Sequence, residues 1–333
     1  MRRPPTTPRD TAAAQNTGTT QSTAADRDTT AAQSAATARD TATTQSTSTA
    51  QSTTAPQSTT EAQNTTATQE EPVRFSGVRE VVRYNWPLYA AGCLAAGAGL
   101  AASRRLPRPA AALARAGAVA AAALLASSTA ATWWVYDRSE LRTFDWLAEL
   151  LPDGPGEHLV LSSGLDEASR PVAARWPRHP QSVVDLYDPA LMTEGSIRRA
   201  RHHVPPAPRT LPGGHDRLPA ATGSADTVLA VFAAHELRHA ADRQELFAEC
   251  ARVLRPGGRL VLVEHLRDAA NTAVYGPGAQ HFFPRRTWLR AAAGAGLHLV
   301  AERRIGGLVT AFAFASPPTS PPASTTTGKR PAP

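Results

Sequence analysis

Cysteine is almost absent from this chain. Its 333 residues hold two, Cys93 and Cys250, one in an apolar run and one in a stretch of helical periodicity, so neither a disulfide framework nor a cysteine zinc site is available. Large apolar residues are missing from Met1 to about Glu71, where the chain is mostly Thr, Ala, Gln and Ser. Such a segment cannot bury enough surface to offset the entropy of ordering it. Arg-Asp-Thr recurs at Arg9, Arg27 and Arg39, and Gln-Ser-Thr at Gln21, Gln45, Gln51 and Gln57, yet no apolar position recurs with them, which excludes a solenoid. A stripe of basic residues interleaved with aromatics is also lacking. The formal charge of +7 and pI near 10.2 come from arginines spread over the whole length, and no nucleic-acid partner is expected.

What is present begins with two uncharged runs, Trp86 to Ser103 and Ala116 to Val135, each near the length that crosses a bilayer. Alanine and glycine dominate both, which suits close packing of two helices in lipid, and Trp86, Trp133, Trp134 and Tyr136 stand where an interfacial aromatic belt would lie. A membrane hairpin is expected, with a soluble Ala-rich helical pair as the alternative. The long polar stretch before it excludes a signal peptide. Arginines at the hairpin turn (Arg104, Arg105, Arg108) match those at its base (Arg74, Arg79, Arg83, Arg138, Arg142), so the positive-inside rule does not set the orientation. The expected organisation is a disordered segment over 1–72, a transmembrane hairpin over 84–135, a folded domain over 136–315 and a polar, Pro-rich tail over 316–333.

The folded part alternates short apolar runs with helical stretches. Strands are expected at His158–Ser162, Ser182–Tyr187, Thr227–Ala233 and Arg259–Glu264, and helices at Asp166–Trp176, Pro189–His202 and Ala241–Leu254. No third strand stands out in the Pro-rich region from Val204 to Pro219. Arg255-Pro256-Gly257-Gly258 stops the last of these helices, since proline cannot continue it and glycine supplies the positive φ of a C-terminal cap. A helix over Trp288–Ala295 and two closing runs, Leu297–Ala301 and Leu308–Phe314, complete the pattern. It predicts an α/β fold with a doubly wound, mostly parallel Rossmann-like sheet, an antiparallel pair at its end, and a ligand crevice where strand order reverses.

The segment Leu218 to Glu264 resembles the central part of class I S-adenosylmethionine-dependent methyltransferases related to the quinone-biosynthesis C-methyltransferases. Leu218-Pro219, the acidic strand start at Asp226, the turn RVLRPGG from Arg252 to Gly258 and the strand ending at Glu264 carry it, followed more loosely by His281-Phe282-Phe283, Trp288 and Gly296. The resemblance implies methyl transfer from S-adenosylmethionine to a small-molecule acceptor. Of the family's glycine-rich loop, Gly164-Leu165-Asp166-Glu167-Ala168 keeps the first glycine alone, and side chains at Asp166 and Ala168 are expected to crowd the cofactor's methionine moiety. The acidic residue usually found four positions before Leu-Pro would fall at Gly214, with Asp216 as a nearby substitute. About 20 residues past the glycine loop an acidic group accepts from the ribose hydroxyls in nucleotide folds. Asp185 has that spacing and Asp188 competes with it, the other reading of Asp188 being a helix cap beside Pro189. The expected cofactor residues are therefore Gly164, Asp166, Asp185 and Asp216.

His235-Glu236-Leu237-Arg238-His239 is a literal HExxH, the spacing that sets two imidazoles on one helix face for zinc. Here it follows a strand pattern directly and lacks a recognisable third ligand, so a zinc peptidase is the lesser alternative and no metal is expected. In the methyltransferase reading His235 lies at a strand end facing the crevice, either as a general base or substrate-orienting group or as a structural hydrogen-bonding loop histidine. His265 and His281 are similar candidates. A methyltransferase fold that binds without catalysing is the third reading.

Overall fold

The computed structural model describes residues 77–318. The expected disordered segment 1–72, and the tail from 319 onward, lie outside the described residues. The helical pair comes first. Helix α1 (Gly77–Tyr84) leads into α2 (Trp86–Ser103), and α3 (Arg108–Trp133) runs back beside it. Small residues permit that approach: a Cβ on Gly99 would stand 3.2 Å from the Ala114 carbonyl oxygen. Both ends of the hairpin meet again, because Asp137 accepts hydrogen bonds from the backbone N–H of Gly77 (2.7 Å) and Val78 (3.0 Å). A carboxylate at the first turn of α1 opposes the positive end of its dipole. Between α3 and the sheet the chain makes a π-helical turn, Trp134–Arg138.

Seven strands form one sheet in the order β3-β2-β1-β4-β5-β7-β6. They are β1 (His158–Ser162), β2 (Gln181–Asp185), β3 (Leu211–Pro212), β4 (Ala225–Val231), β5 (Leu254–His265), β6 (His298–Ile305) and β7 (Val309–Ala315). The first five run parallel, β7 is antiparallel to β5, and β6 pairs antiparallel with β7. This is the doubly wound sheet that the alternation predicts, and its strand order reverses between β1 and β4. Period-two alternation sends Leu159, Leu161, Leu260 and Leu262 to one face and Val160, Val261 and Val263 to the other. The first face is covered by Leu246, Phe247 and Cys250 of α7 (Ala240–Val253) and by Trp288 of α9 (Arg285–Gly294). Covering the second are Phe144 and Trp146, from the segment leading out of the hairpin, Leu147 and Leu150 of α4 (Leu147–Leu150), and Val172 of α5 (Ser169–Arg175).

Three local expectations shift. The third strand is two exposed residues paired to Val184 and Asp185, too short to leave an apolar run in the sequence. The helix expected from Pro189 starts at Gly195 as α6 (Gly195–His203), because the Asp188 carbonyl accepts from Leu191 and Met192 in a closed turn before the helix axis is set. An additional helix, α8 (Ala269–Tyr275), is capped by Asp268, whose side chain accepts from the Asn271 N–H. Of the two apolar runs, only α3 with its π-turn extension, Arg108–Arg138, is long and apolar enough to cross a membrane by length and hydropathy among the described residues.

Candidate functional site

The carboxyl ends of β1, β2, β4 and β5 converge beside the switch point, where crossover connections leave the crevice of a doubly wound sheet. After β1 the backbone turns at Gly164 with φ +95°, a left-handed conformation that a side chain disfavours. Space restricts the position as well, since a Cβ there would meet Ile197 Cγ1 at 2.9 Å and Tyr187 Cδ2 at 3.0 Å. The glycine is thus required by packing against α6 whatever ligand occupies the crevice.

Asp185 ends β2 and is 8% exposed. Its Oδ1 accepts from the Gly164 N–H (3.1 Å), the Ser162 hydroxyl (3.3 Å) and the Tyr187 N–H (3.3 Å), while Oδ2 pairs with the Arg201 guanidinium of α6. Gly164 and Asp185, chosen from sequence spacing, are therefore joined directly. Three donors fill Oδ1, so Oδ2 is the oxygen with capacity left for a further donor. Asp188 behaves as a turn residue, with Oδ1 accepting from the Ala190 N–H at 2.8 Å.

Asp166 and Ala168 do not crowd the turn as the sequence leads one to expect. The Asp166 carboxylate folds back to accept from the backbone N–H of Ala168 (3.1 Å) and Ser169 (2.9 Å) and from the Ser169 hydroxyl, capping α5, and Ala168 is buried with Val160 and Val172. Glu167, which sequence reasoning passed over, is the loop side chain left open to solvent. Neighbouring protein displaces part of its hydration, which pushes its carboxyl above the ordinary range, helped by Glu80 of α1 and opposed by His235. Asp216 is exposed in the turn closed by Gly214 and Arg217 and makes no side-chain contact with Asp185; Gly213, at the head of that turn, donates its N–H to the Asp185 carbonyl oxygen.

Past β4 the chain makes a 3-10 turn, Ala234–Glu236. His235 there is gripped by Glu264 of β5: Nδ1 lies 2.8 Å from Oε2, and the His235 backbone N–H donates to Oε1 at 3.1 Å. Its Nε2 faces Glu236 Oε1 at 3.4 Å. Burial alone would favour the neutral ring, but the two carboxylates outweigh it and hold His235 protonated well above the usual range. The second histidine of the HExxH spacing, His239, is exposed at the N-cap of α7. His235 and His239 thus share no helix face, which removes the arrangement a zinc peptidase requires. His281 is brought instead against His235, with ring centroids 5.3 Å apart and edge-on, and the neighbouring His235 and Arg238 charges add to burial in lowering it to about 4.

His265 stands one residue beyond Glu264 in a cage of Phe232, Tyr275, Phe282 and Tyr136. The Leu308 carbonyl oxygen, 3.1 Å from Nδ1, can only accept, which places the proton on Nδ1 and leaves Nε2 to accept from the Tyr136 hydroxyl at 3.2 Å. Burial lowers its pKa to about 4. Tyr136 lies in the π-helical turn, so the hairpin is tied to the end of β5 by a side chain that sequence inspection assigns to a membrane interface.

Residues 184–262 match the family model described as a methyltransferase domain. The match begins at β2, beyond the altered glycine turn, and does not reach the level of the quinone-biosynthesis subgroup. Similar solved structures include a SAM-dependent methyltransferase from Aquifex aeolicus, 16% identical over 53% of this chain and 91% of that one, with a TM-score of 0.38. One from Methanosarcina mazei is 13% identical over 52% of this chain and 98% of its own, also with a TM-score of 0.38. Human N-acetylserotonin methyltransferase, in complex with SAM, is 16% identical over 58% of this chain and 55% of that one, with a TM-score of 0.40. No curated protein matches this chain. The family match lies across β2 to β5 of this sheet, and this part of the folded domain is similar to methyltransferase domains.

Proposed function

We propose that the domain holds S-adenosylmethionine at the switch point and transfers its methyl group to a small, lipophilic acceptor delivered from a membrane. The observation that carries the donor site is the direct hydrogen bond from the Gly164 N–H to Asp185, which couples the first turn to the end of β2. When bound, the cofactor supplies an electrophilic methyl group on a sulfonium. The crevice is suited to its positive charges: the Glu80 and Glu264 carboxylates both act on Glu167, and the Asp166 side chain is folded out of the way. Asp185 offers Oδ2 to a ribose hydroxyl, and Asp216 stands in for the acidic group on the β3 side. With both ring nitrogens facing carboxylates, His235 in this metal-free arrangement donates hydrogen bonds rather than accepting a proton, which favours orienting an acceptor over general-base work.

Titration calorimetry with S-adenosylmethionine tests this reading. One charge-assisted hydrogen bond contributes on the order of 1.5 to 3 kcal/mol, so Asp185→Asn should weaken donor affinity by about tenfold or more while retaining an acceptor for the Gly164 N–H. Asp188→Ala should leave affinity nearly unchanged. The reverse pattern would move the ribose contact to Asp188. A wild-type protein that does not bind the donor would favour a non-catalytic scaffold, a second reading supported by the way Asp185 is already satisfied from within the protein.

The membrane part rests on exposure. Nine of the twelve large hydrophobic residues exposed among the described residues lie between Trp86 and Trp134, including Leu88, Leu94, Leu113 and Val119, a concentration that an aqueous surface disfavours. A shallow apolar groove along α1, α2 and α3, lined by Val78, Tyr89, Cys93, Leu125 and Trp133, offers a surface for an apolar chain beside the hairpin. The domain would then sit on the cytoplasmic side, where the cofactor is made available. The protein is expected to stay with membranes through an alkaline carbonate wash, and its release as an intact chain would replace the spanning hairpin with a soluble helical pair.

A further inference from the structure

We propose that His235, Glu236 and His281 form a binding site for a divalent transition-metal ion of the zinc class. The metal-binding atoms of the three side chains all lie within 4.8 Å of one another. They come from two separate segments, the turn after β4 and the 3-10 turn Gly276–His281 that follows α8. Arg238 latches those segments together by donating from Nη1 to the carbonyl oxygens of both His235 (3.1 Å) and His281 (2.9 Å). The arrangement is therefore held by the protein before any ion arrives.

Two further features point to a cation. Glu236 is 7% exposed, and its Oε2 is the one carboxylate oxygen among the described residues that is buried with no hydrogen-bond partner. An unpaired buried carboxylate oxygen is costly, and a metal ion would satisfy it. Glu264, itself 1% exposed, sits at 2.8 Å from His235 Nδ1 and so turns Nε2 toward Glu236. A metal-ligating histidine commonly donates its other ring N–H to such a carboxylate, which fixes the tautomer and raises the basicity of the ligating nitrogen. With Glu194 Oε1 3.7 Å from His281 Nδ1, two carboxylates, Glu264 and Glu194, flank a cluster that holds a third, Glu236. Two imidazole nitrogens and one carboxylate oxygen suit zinc and its first-row neighbours and leave a fourth position open to an exogenous ligand. This is not the HExxH ligand set: His239 is exposed at the head of α7 and takes no part.

The site does not depend on methyl transfer. The test uses full-length protein in detergent, stripped with a chelator and titrated calorimetrically with Zn²⁺ alone, with S-adenosylmethionine titrated separately into the same preparation. One equivalent of zinc is expected to bind, at least tenfold more weakly in His281→Ala and in Glu236→Gln, and unchanged in His239→Ala. Cobalt(II) substituted into the wild type should give the visible absorption of a four-coordinate nitrogen and oxygen site, a measurement that holds even if a variant fails to fold. Absence of saturable zinc binding by folded wild-type protein would overturn the proposal, as would binding that His281→Ala leaves intact or that His239→Ala removes.

Discussion

Glu264→Ala is expected to destabilise the protein by about 3 kcal/mol, at the lower end of the roughly 3–5 kcal/mol that follows when one partner of a buried ion pair is removed. The carboxylate is 1% exposed and serves His235 twice, at Nδ1 and at the backbone N–H. Without it the imidazole loses its principal counter-charge and the turn after β4 loses its anchor to β5. Glu236, 3.4 Å from Nε2, takes up part of the charge, which is why the lower figure applies. Methyl transfer should fall further than stability alone explains, by roughly 10²-fold or about 2.7 kcal/mol in kcat/KM, because the histidine proposed to orient the acceptor is no longer held. Glu264→Gln keeps an acceptor for the backbone N–H and should lose about half as much stability. Urea unfolding of the three proteins checks the order, and a Gln variant as damaged as the Ala variant would show that the charge, not the backbone anchor, carries the effect.

Acid should destabilise the fold through His265. Its ring is enclosed by aromatic side chains, donates from Nδ1 to the Leu308 carbonyl oxygen, and accepts from Tyr136. Burial lowers it from 6.5 to about 4. Below pH 6.5 the unfolded chain takes up a proton that the folded one refuses, so this contribution is full above about 6.5 and is lost as the pH falls toward 4. The loss amounts to roughly 3 kcal/mol at about 1.4 kcal/mol per pH unit. His235 has the opposite sign. Its pKa is raised, so its contribution is complete below about 6.5 and declines only above that; His281, also lowered to about 4, shares the acid window with His265, and Glu167, raised to about 7, acts against them as the pH falls. Urea midpoints followed from pH 7 to 4.5 should fall for the wild type. His265→Phe, though less stable throughout because the Tyr136 hydroxyl loses its partner and the Leu308 carbonyl keeps only Asn271, should show a visibly shallower dependence. Equal slopes would place the acid-sensitive group elsewhere.

Much of this protein is legible without coordinates where the determinants are local. The first helix of the hairpin falls on its apolar run and β1 falls on His158–Ser162, because periodicity and hydropathy act over a few residues; α7 stops short of Pro256, but at Val253 with an extended Leu254 and not on the expected glycine cap, since Pro256, Gly257 and Gly258 belong to β5. The 20-residue spacing puts Asp185 at the end of β2 beside Gly164, since a turn and one crossover helix fix the distance between the ends of adjacent parallel strands. Contacts across the sheet have no such local trace. Glu167 and Glu80 meet only because α1 returns to the crevice, and Tyr136 reaches His265 only because the π-helical turn carries it there. The same holds for the histidine cluster. The sequence by itself determined the alternating α/β pattern, the methyltransferase resemblance and the glycine–aspartate pair. Only the tertiary structure decided that Asp166 caps a helix, that His239 stands apart, and that His281 joins His235 and Glu236, because those outcomes depend on which distant segments the sheet brings to one edge.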